Sequence, residues 1–262
     1  MLGGWDMNSK YKRIKAFALS IVVFFGTLFI IVGFVFGIRV ICSKIQKYET
    51  PICRVDTEEK KVSLTFDVAW GSKNIEDILD ILDKHNIKAT FFLVGSWVDD
   101  NEDLVKEIYK RGHEIGNHSN THSSFIEISK EDKKEELLTT NEKIKRITGE
   151  DMDLFRPPFG HIDMETSDVS KSLGYHVIKW DVDSGDWKNI GPLHIIDRVN
   201  KNTKPGSIIL LHANVMDINT YLEDIITNLE KDGYSIVKVS DLIYKDNYTV
   251  DSSGEQKLIP ND

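Results

Sequence analysis

The chain has 262 residues and a formal net charge of −9, from 33 Lys and Arg against 42 Asp and Glu. With 40% hydrophobic and 10% aromatic residues it can bury a sizeable core, which excludes an intrinsically disordered protein. The acidic balance disfavours nucleic-acid binding, which needs clustered Lys and Arg. Two cysteines, Cys42 and Cys53, supply neither a disulfide framework nor a four-cysteine zinc site.

The first element is apolar. Ala16 to Gly37 runs 22 positions without a charge, and at about 1.5 Å per residue it crosses a hydrocarbon layer of about 30 Å. Lys10, Lys12, Arg13 and Lys15 precede it, and the positive-inside tendency keeps such a flank in the cytoplasm and everything after Arg39 outside. The expected order is a cytoplasmic tail over 1–15, a transmembrane anchor over 16–38 and a polar stalk over 39–59, in a single-pass protein of the cell membrane. A cleaved signal peptide is the alternative. The length of the run and the lack of a small-x-small site before Arg39 argue against it.

Beyond the stalk, short β-branched or aromatic runs alternate with amphipathic helical patterns. Strands are predicted at Val62 to Phe66, Ala89 to Val94, His113 to Asn117, Asp153 to Arg156, His176 to Trp180, Ser207 to Leu211 and Ser235 to Val239. The clearest helical faces carry Ile75, Ile78, Leu79 and Leu82, and Leu222, Ile225, Ile226 and Leu229. Seven β-α units with right-handed crossovers predict an α/β domain over 60–245, an incomplete TIM-like (β/α)7 barrel, with an open doubly wound sheet as the alternative. The polar stretch from Asp246 lacks periodicity, which predicts a flexible tail over 246–262.

Polar residues recur just past the predicted strands. Asp67 follows the first, His118 and His122 the third, Arg156 ends the fourth, Asp181, Asp183 and Asp186 follow the fifth, and His212 the sixth. In a parallel barrel these strand ends open onto one mouth, where active sites are built. His118 and His122, four apart, are spaced to reach one cation, although that spacing also fits two surface histidines. Asp67 reads as a base or as a helix cap, and Arg156 before Pro157 and Pro158 as a fixed fork near a carboxylate or as a surface ion pair. His212, after an apolar run, reads as a functional or a hydrogen-bonded core histidine. Trp70, Trp97, Trp180 and Trp187 are candidates for sugar-stacking walls or for core.

Taken in order, Thr65 to Asp67 (TFD), His118 to His122 (HSNTH), Arg156 to Gly160 (RPPFG), Asp183 to Trp187 (DSGDW) and Leu210 to His212 (LLH) resemble the motifs of the polysaccharide deacetylases. That family is the NodB-homology domain, carbohydrate esterase family 4, and the resemblance covers roughly Lys60 to Ser240. TFDVAWG together with the anchor is most similar to the sporulation-associated PdaB type. The resemblance implies a metal-dependent N-deacetylase of N-acetylated amino sugars in cell-wall peptidoglycan. It makes Asp67 the catalytic base, Arg156 its holder, His212 the acid that protonates the leaving amine, and Asp186 the group that orients His212. It assigns His118 and His122 to a divalent metal, usually zinc, with cobalt or another divalent ion as alternatives. Trp187 would line the substrate pocket, and the backbone N–H of Phe159 would face the oxyanion.

One position departs from the pattern: the family usually writes TFDD, with the second Asp as third metal ligand, and this chain has Val68 there. Asp67 or Asp183 replaces that ligand, or water does, or activity has been lost. A glycan-binding protein without catalysis is therefore the alternative function. Amide hydrolysis on a small molecule is a third, disfavoured because a membrane tether suits an immobile polymer.

Overall fold

The computed structural model describes Lys15, Phe17, Thr27 and residues 50–260. Apart from those three single positions, the cytoplasmic tail, the transmembrane anchor and the stalk up to residue 49 lie outside the described residues. The chain divides into two compact units, 1–48 and 49–262, and the architecture below is that of the second.

Its strands are β1 (Arg54–Val55), β2 (Lys61–Val68), β3 (Thr90–Leu93), β4 (Glu114–Asn117), β5 (Leu154–Phe155), β6 (His176–Val177), β7 (Val182–Asp183), β8 (Ile208–His212), β9 (Ser235–Ile236), β10 (Tyr248–Val250) and β11 (Glu255–Leu258). The main sheet runs in the order β6-β5-β4-β3-β2-β8-β7, and every pair in it is parallel. Laid flat, seven strands would be about 29 Å wide. Yet its edge strands β6 and β7 are joined by only Ile178–Asp181, a stretch that reaches at most about 18 Å. The sheet must therefore curl, and it forms the expected incomplete barrel.

Strand alternation divides the apolar side chains between two clusters. Val62, Leu64, Phe66 and Val68 of β2 join Phe91, Leu93 and Phe155 against the helices Ile75–Lys84 and Ile218–Lys231. Those helices bury the predicted faces, Ile75, Ile78, Leu79 and Leu82 on one and Leu222, Ile225, Ile226 and Leu229 on the other. Phe92, Leu154 and Ile208, of opposite parity, join Ile52, Val55, Ile178, Val239 and Leu242 in the second cluster. A strand buried on both faces is what a parallel barrel requires.

Three expectations are corrected. The seventh predicted strand keeps only two paired residues, β9 beside the start of β2, because the chain then turns into a short helix, Val239–Leu242, that packs on the inner cluster. Its place in the sheet is taken by β7, two residues long and too short for any period to show. The stalk already belongs to the domain by residue 52: Ile52 bridges Ile178 at the β6 edge, and Val55 N–H donates to the Gly206 carbonyl at 2.9 Å, so this segment fills the seam of the open barrel. The polar tail, expected to be flexible, carries paired strands as far as Leu258. β10 and β11 form a hairpin around Gly254, and β11 pairs with β1. Gln256 is fully buried there and exchanges hydrogen bonds with the backbone of Tyr244.

Gly206 marks how tightly the seam closes. It has φ 81°, and a Cβ there would lie 1.8 Å from the Val55 carbonyl oxygen. Gly206→Ala is expected to cost more than about 3 kcal/mol in urea unfolding. Gly149→Ala, with φ 82° but nothing within 4 Å, should cost about 1–2 kcal/mol. Equal losses in the two variants would show that the seam is looser than this.

Candidate active site

At the C-terminal ends of the central strands opens a cavity of about 640 Å³, within the range of small-molecule sites. Asp67, His118, His122, Asp183 and His212 reach it from four different strands or the loops after them. Asp181 does not line it. That carboxylate accepts hydrogen bonds from Ser207 Oγ (3.0 Å) and Ile208 N–H (3.0 Å) at the start of β8.

The Asp67 carboxylate is held from below by Arg156. Nη1 donates to Asp67 Oδ1 and to Thr65 Oγ1, both at 2.8 Å, and Nη2 donates to the Lys179 carbonyl at 2.9 Å. The guanidinium is fully buried and lies 4.1 Å from the Phe92 ring centre and 5.5 Å from that of Trp180. Burial by itself raises the pKa of Asp67, but Arg156, followed by His118 and His212, outweighs it, so the carboxyl stays below its ordinary value. Burial pulls Arg156 down against the opposing pull of Asp67, yet a guanidinium remains charged across the physiological range.

His118 follows β4, and its Nδ1 lies 2.7 Å from the Arg156 carbonyl oxygen. A carbonyl can only accept, so Nδ1 carries the proton and Nε2 presents a lone pair, 3.5 Å from Asp67 Oδ2. Burial holds the ring's pKa below its ordinary value, with Asp67 opposing. Two acceptors thus face each other, an arrangement that a cation relieves. His122 stands beside it, ring centres 4.9 Å apart, and burial, followed by the electrostatic influence of placing a second imidazolium beside His118, brings its pKa down to about 4. Two neutral imidazoles next to a carboxylate suit a divalent cation. They stop short of a full set: among the described residues no group of three or more His, Cys, Asp or Glu side chains is placed to hold one. Val68, with the parity of Leu64 and Phe66, is buried in the outer cluster and supplies nothing to the cavity.

The opposite wall is His212, at the end of β8. Asp186 Oδ1 accepts from its Nδ1 at 2.8 Å and Oδ2 from its backbone N–H at 2.8 Å, while Trp187 N–H also donates to Oδ1. Tyr221 Oη lies 3.4 Å from Oδ2. Burial lowers the His212 pKa, but the Asp186 hydrogen bond and charge more than reverse it, and the ring lies above its ordinary value. With Nδ1 engaged, Nε2–H is the proton left for the cavity.

Aromatic side chains form the rim. Phe159 sits at φ 59°, ψ 3° in a tight turn after Pro158, left-handed backbone that a bulky residue adopts only under constraint. It is 58% exposed, Trp187 is 55% and Trp70 is 60%, so three large faces are left for a ligand. Trp180 also lines the cavity. Trp97 does not: it is buried, and its Nε1–H donates to the Gly71 carbonyl at 2.7 Å. Sequence reasoning did not single out Asn189, Asn214 and Met216, which complete the rim. Their loops have no periodicity. No sequence signal marks them; in the structure the Asn74 side-chain amide donates to the Ala213 and Val215 carbonyls and holds the loop after β8 in place.

Residues 54–178 match the family model for polysaccharide deacetylase. The chain is 35% identical over 207 residues to the peptidoglycan-N-acetylmuramic acid deacetylase PdaA of Bacillus subtilis, covering 78% of each chain. It is 36% identical over 194 residues to a peptidoglycan-N-acetylglucosamine deacetylase of Bacillus cereus, covering 72% of this chain and 91% of that one. Among solved structures it resembles a carbohydrate esterase family 4 pseudoenzyme from Bacillus anthracis, with TM-score 0.72, 35% identity, and 74% and 69% coverage. A mutant pseudoenzyme with restored enzymatic activity matches at 36% identity with the same TM-score.

The Asp186 contact sets the His212 proton. In Asp186→Asn the largest raising influence is lost while burial and the smaller pull of Asp67 and Asp183 remain, so the His212 pKa should fall from its position above the ordinary value of about 6.5. Histidine NMR titration measures this, and an unchanged value would show that Asp186 does not set it.

Proposed function

The chain belongs to the polysaccharide deacetylases, and from that premise we propose that it removes the acetyl group from N-acetylated amino sugars of peptidoglycan. The observation that carries the reading is a base and an acid facing one cavity with their pKa values pushed apart, the ionised form of Asp67 favoured by Arg156 and the protonated form of His212 favoured by Asp186. His118 and His122 would hold a divalent metal ion, with zinc the first candidate. When bound, such an ion supplies Lewis-acid polarisation of the acetamide carbonyl and of the attacking water.

Asp67 takes the proton from that water, since its carboxylate is ionised and reaches the cavity. The His212 Nε2–H is placed to give a proton to the departing amine, and Asp186 stabilises the charge on the ring before transfer. The turn at Phe159 offers its backbone N–H toward the developing oxyanion. Trp187 and Trp70 present faces on which sugar C–H groups can pack. The apolar segment 16–38 would tether this chemistry to the outer face of the cell membrane, where the wall polymer lies. TFDVAWG and that anchor support a place in sporulation.

Val68 favours a second reading, a glycan-binding protein with no turnover, because the residue at that position faces the core. Acetate release by the full chain in detergent, on peptidoglycan fragments and N-acetylglucosamine oligomers, separates the two. The first reading expects turnover that a chelator removes and zinc or cobalt restores, and a fall of about 100- to 10,000-fold in Asp67→Asn and in His212→Ala. Glycan binding by a folded sample that releases no acetate with any ion would establish the second.

A further inference from the structure

The loop that carries both histidines is held in backbone that non-glycine residues rarely adopt: Ser119 has φ 69° and His122 has φ 60°. The His118 ring has its own fixing bond to the Arg156 carbonyl. The His122 ring carries no hydrogen bond among the described residues, and it is only packed edge-on against Trp70, His118 and Phe159, with ring centres 4.8, 4.9 and 4.8 Å away. Where His122 stands is therefore decided by its backbone: its N–H donates to Ser119 Oγ at 3.0 Å, Gly95 and Ser96 N–H donate to the Ser119 and Asn120 carbonyls, and the N–H groups of Asn120 and Thr121 between them need an acceptor of their own.

Glu136, on the helix Lys130–Thr148, meets that need. Its Oε2 accepts from two successive backbone N–H groups, Asn120 at 2.8 Å and Thr121 at 2.7 Å, and its Oε1 accepts from Thr121 Oγ1 at 2.8 Å. Consecutive amides converging on one oxygen make an anion nest, and its charge-assisted bonds are stronger than neutral ones. About two turns further along the same helix, Lys143 Nζ donates to Asn120 Oδ1 at 2.7 Å and to the Gly95 carbonyl at 3.2 Å. The loop is thus gripped from one helix by a carboxylate on its backbone and an ammonium on its side chain.

We propose that Glu136 is a positioning residue for His122, holding the loop in the left-handed conformation that brings the second imidazole beside His118. The proposal rests on the reading of His118 and His122 as a cation-binding pair. It concerns geometry in the absence of the ion as well as in its presence, which allows it to fail separately. Glu136 does not line the cavity, so it acts through the loop.

The test uses the full chain in detergent with selectively labelled histidines, which leaves eight imidazoles to assign. Wild type should show ring-to-ring NOEs from His122 to Trp70 and Phe159. In Glu136→Ala these should vanish while the signals of His118 persist and circular dichroism is unchanged. Titration with zinc alone should show binding weakened about 10- to 100-fold in Glu136→Ala, the usual loss when a residue supporting a ligand is removed. Glu136→Gln, which keeps an acceptor for the two amides, should recover most of it. His122 NOEs that survive in Glu136→Ala overturn the proposal, as does zinc binding by that variant at wild-type strength. If wild type binds no zinc, the metal reading of the site fails and the NOEs alone decide the role of Glu136.

Discussion

The site depends on one residue used twice. Arg156 binds Asp67 with its guanidinium and His118 with its carbonyl, so the charge of one group and the tautomer of the other follow from where β5 ends. A fully buried guanidinium is tolerable only with its partners in place. Thr65, Asp67 and the Lys179 carbonyl take three of its N–H bonds, and Phe92 covers its face. Nε remains without a partner. Removal of either member of such a pair strands a buried charge, typically at a cost of about 3–5 kcal/mol. The same contacts that set up the chemistry therefore bind the barrel interior together, and Asn117 extends the arrangement by accepting from Arg156 N–H and donating to Leu137 and Tyr175.

Curling of the sheet brings these groups to one place. A connection of four residues between its two edge strands, with no helix to hold them apart, draws the edges toward each other, and Ile52 and Val55 fill the seam. Strand ends separated by up to 145 positions, from Asp67 to His212, become neighbours across one register pair. Because the seam is filled by chain entering from the N-terminal side and backed by the C-terminal hairpin, both ends of the domain contribute to closing the barrel. Neither end has a side chain in the cavity.

Much of this was legible in the sequence, for identifiable reasons. Strands with β-branched and aromatic runs, including the two-residue β5 and β6, were readable because burial needs such residues, and the helical faces because their apolar spacing is 3.6. The elements that escaped, β1, β7, β10 and β11, have two to four residues each and are held by backbone pairing, which has no side-chain signature. The orientation of Val68 was available from parity: it is in phase with Val62, Leu64 and Phe66, whose side chains meet helices. The sequence showed that a ligand was missing there, and the structure shows that the side chain in its place belongs to the core. Glu136 could not have been found by any motif, since 14 or more positions separate it from the loop it grips.

The sequence by itself determined the alternation of strand and helix, the order of the motifs and the chemical types that would meet at the strand ends, because hydrophobic period and residue type are local properties. Only the tertiary structure decided which nitrogen of His118 carries its proton, that the acid and base are separately held by Arg156 and Asp186, and that the polar tail is part of the fold. Those outcomes rest on hydrogen bonds between residues far apart in the chain. Their strength comes from burial and from partners that meet only when the sheet has closed on itself.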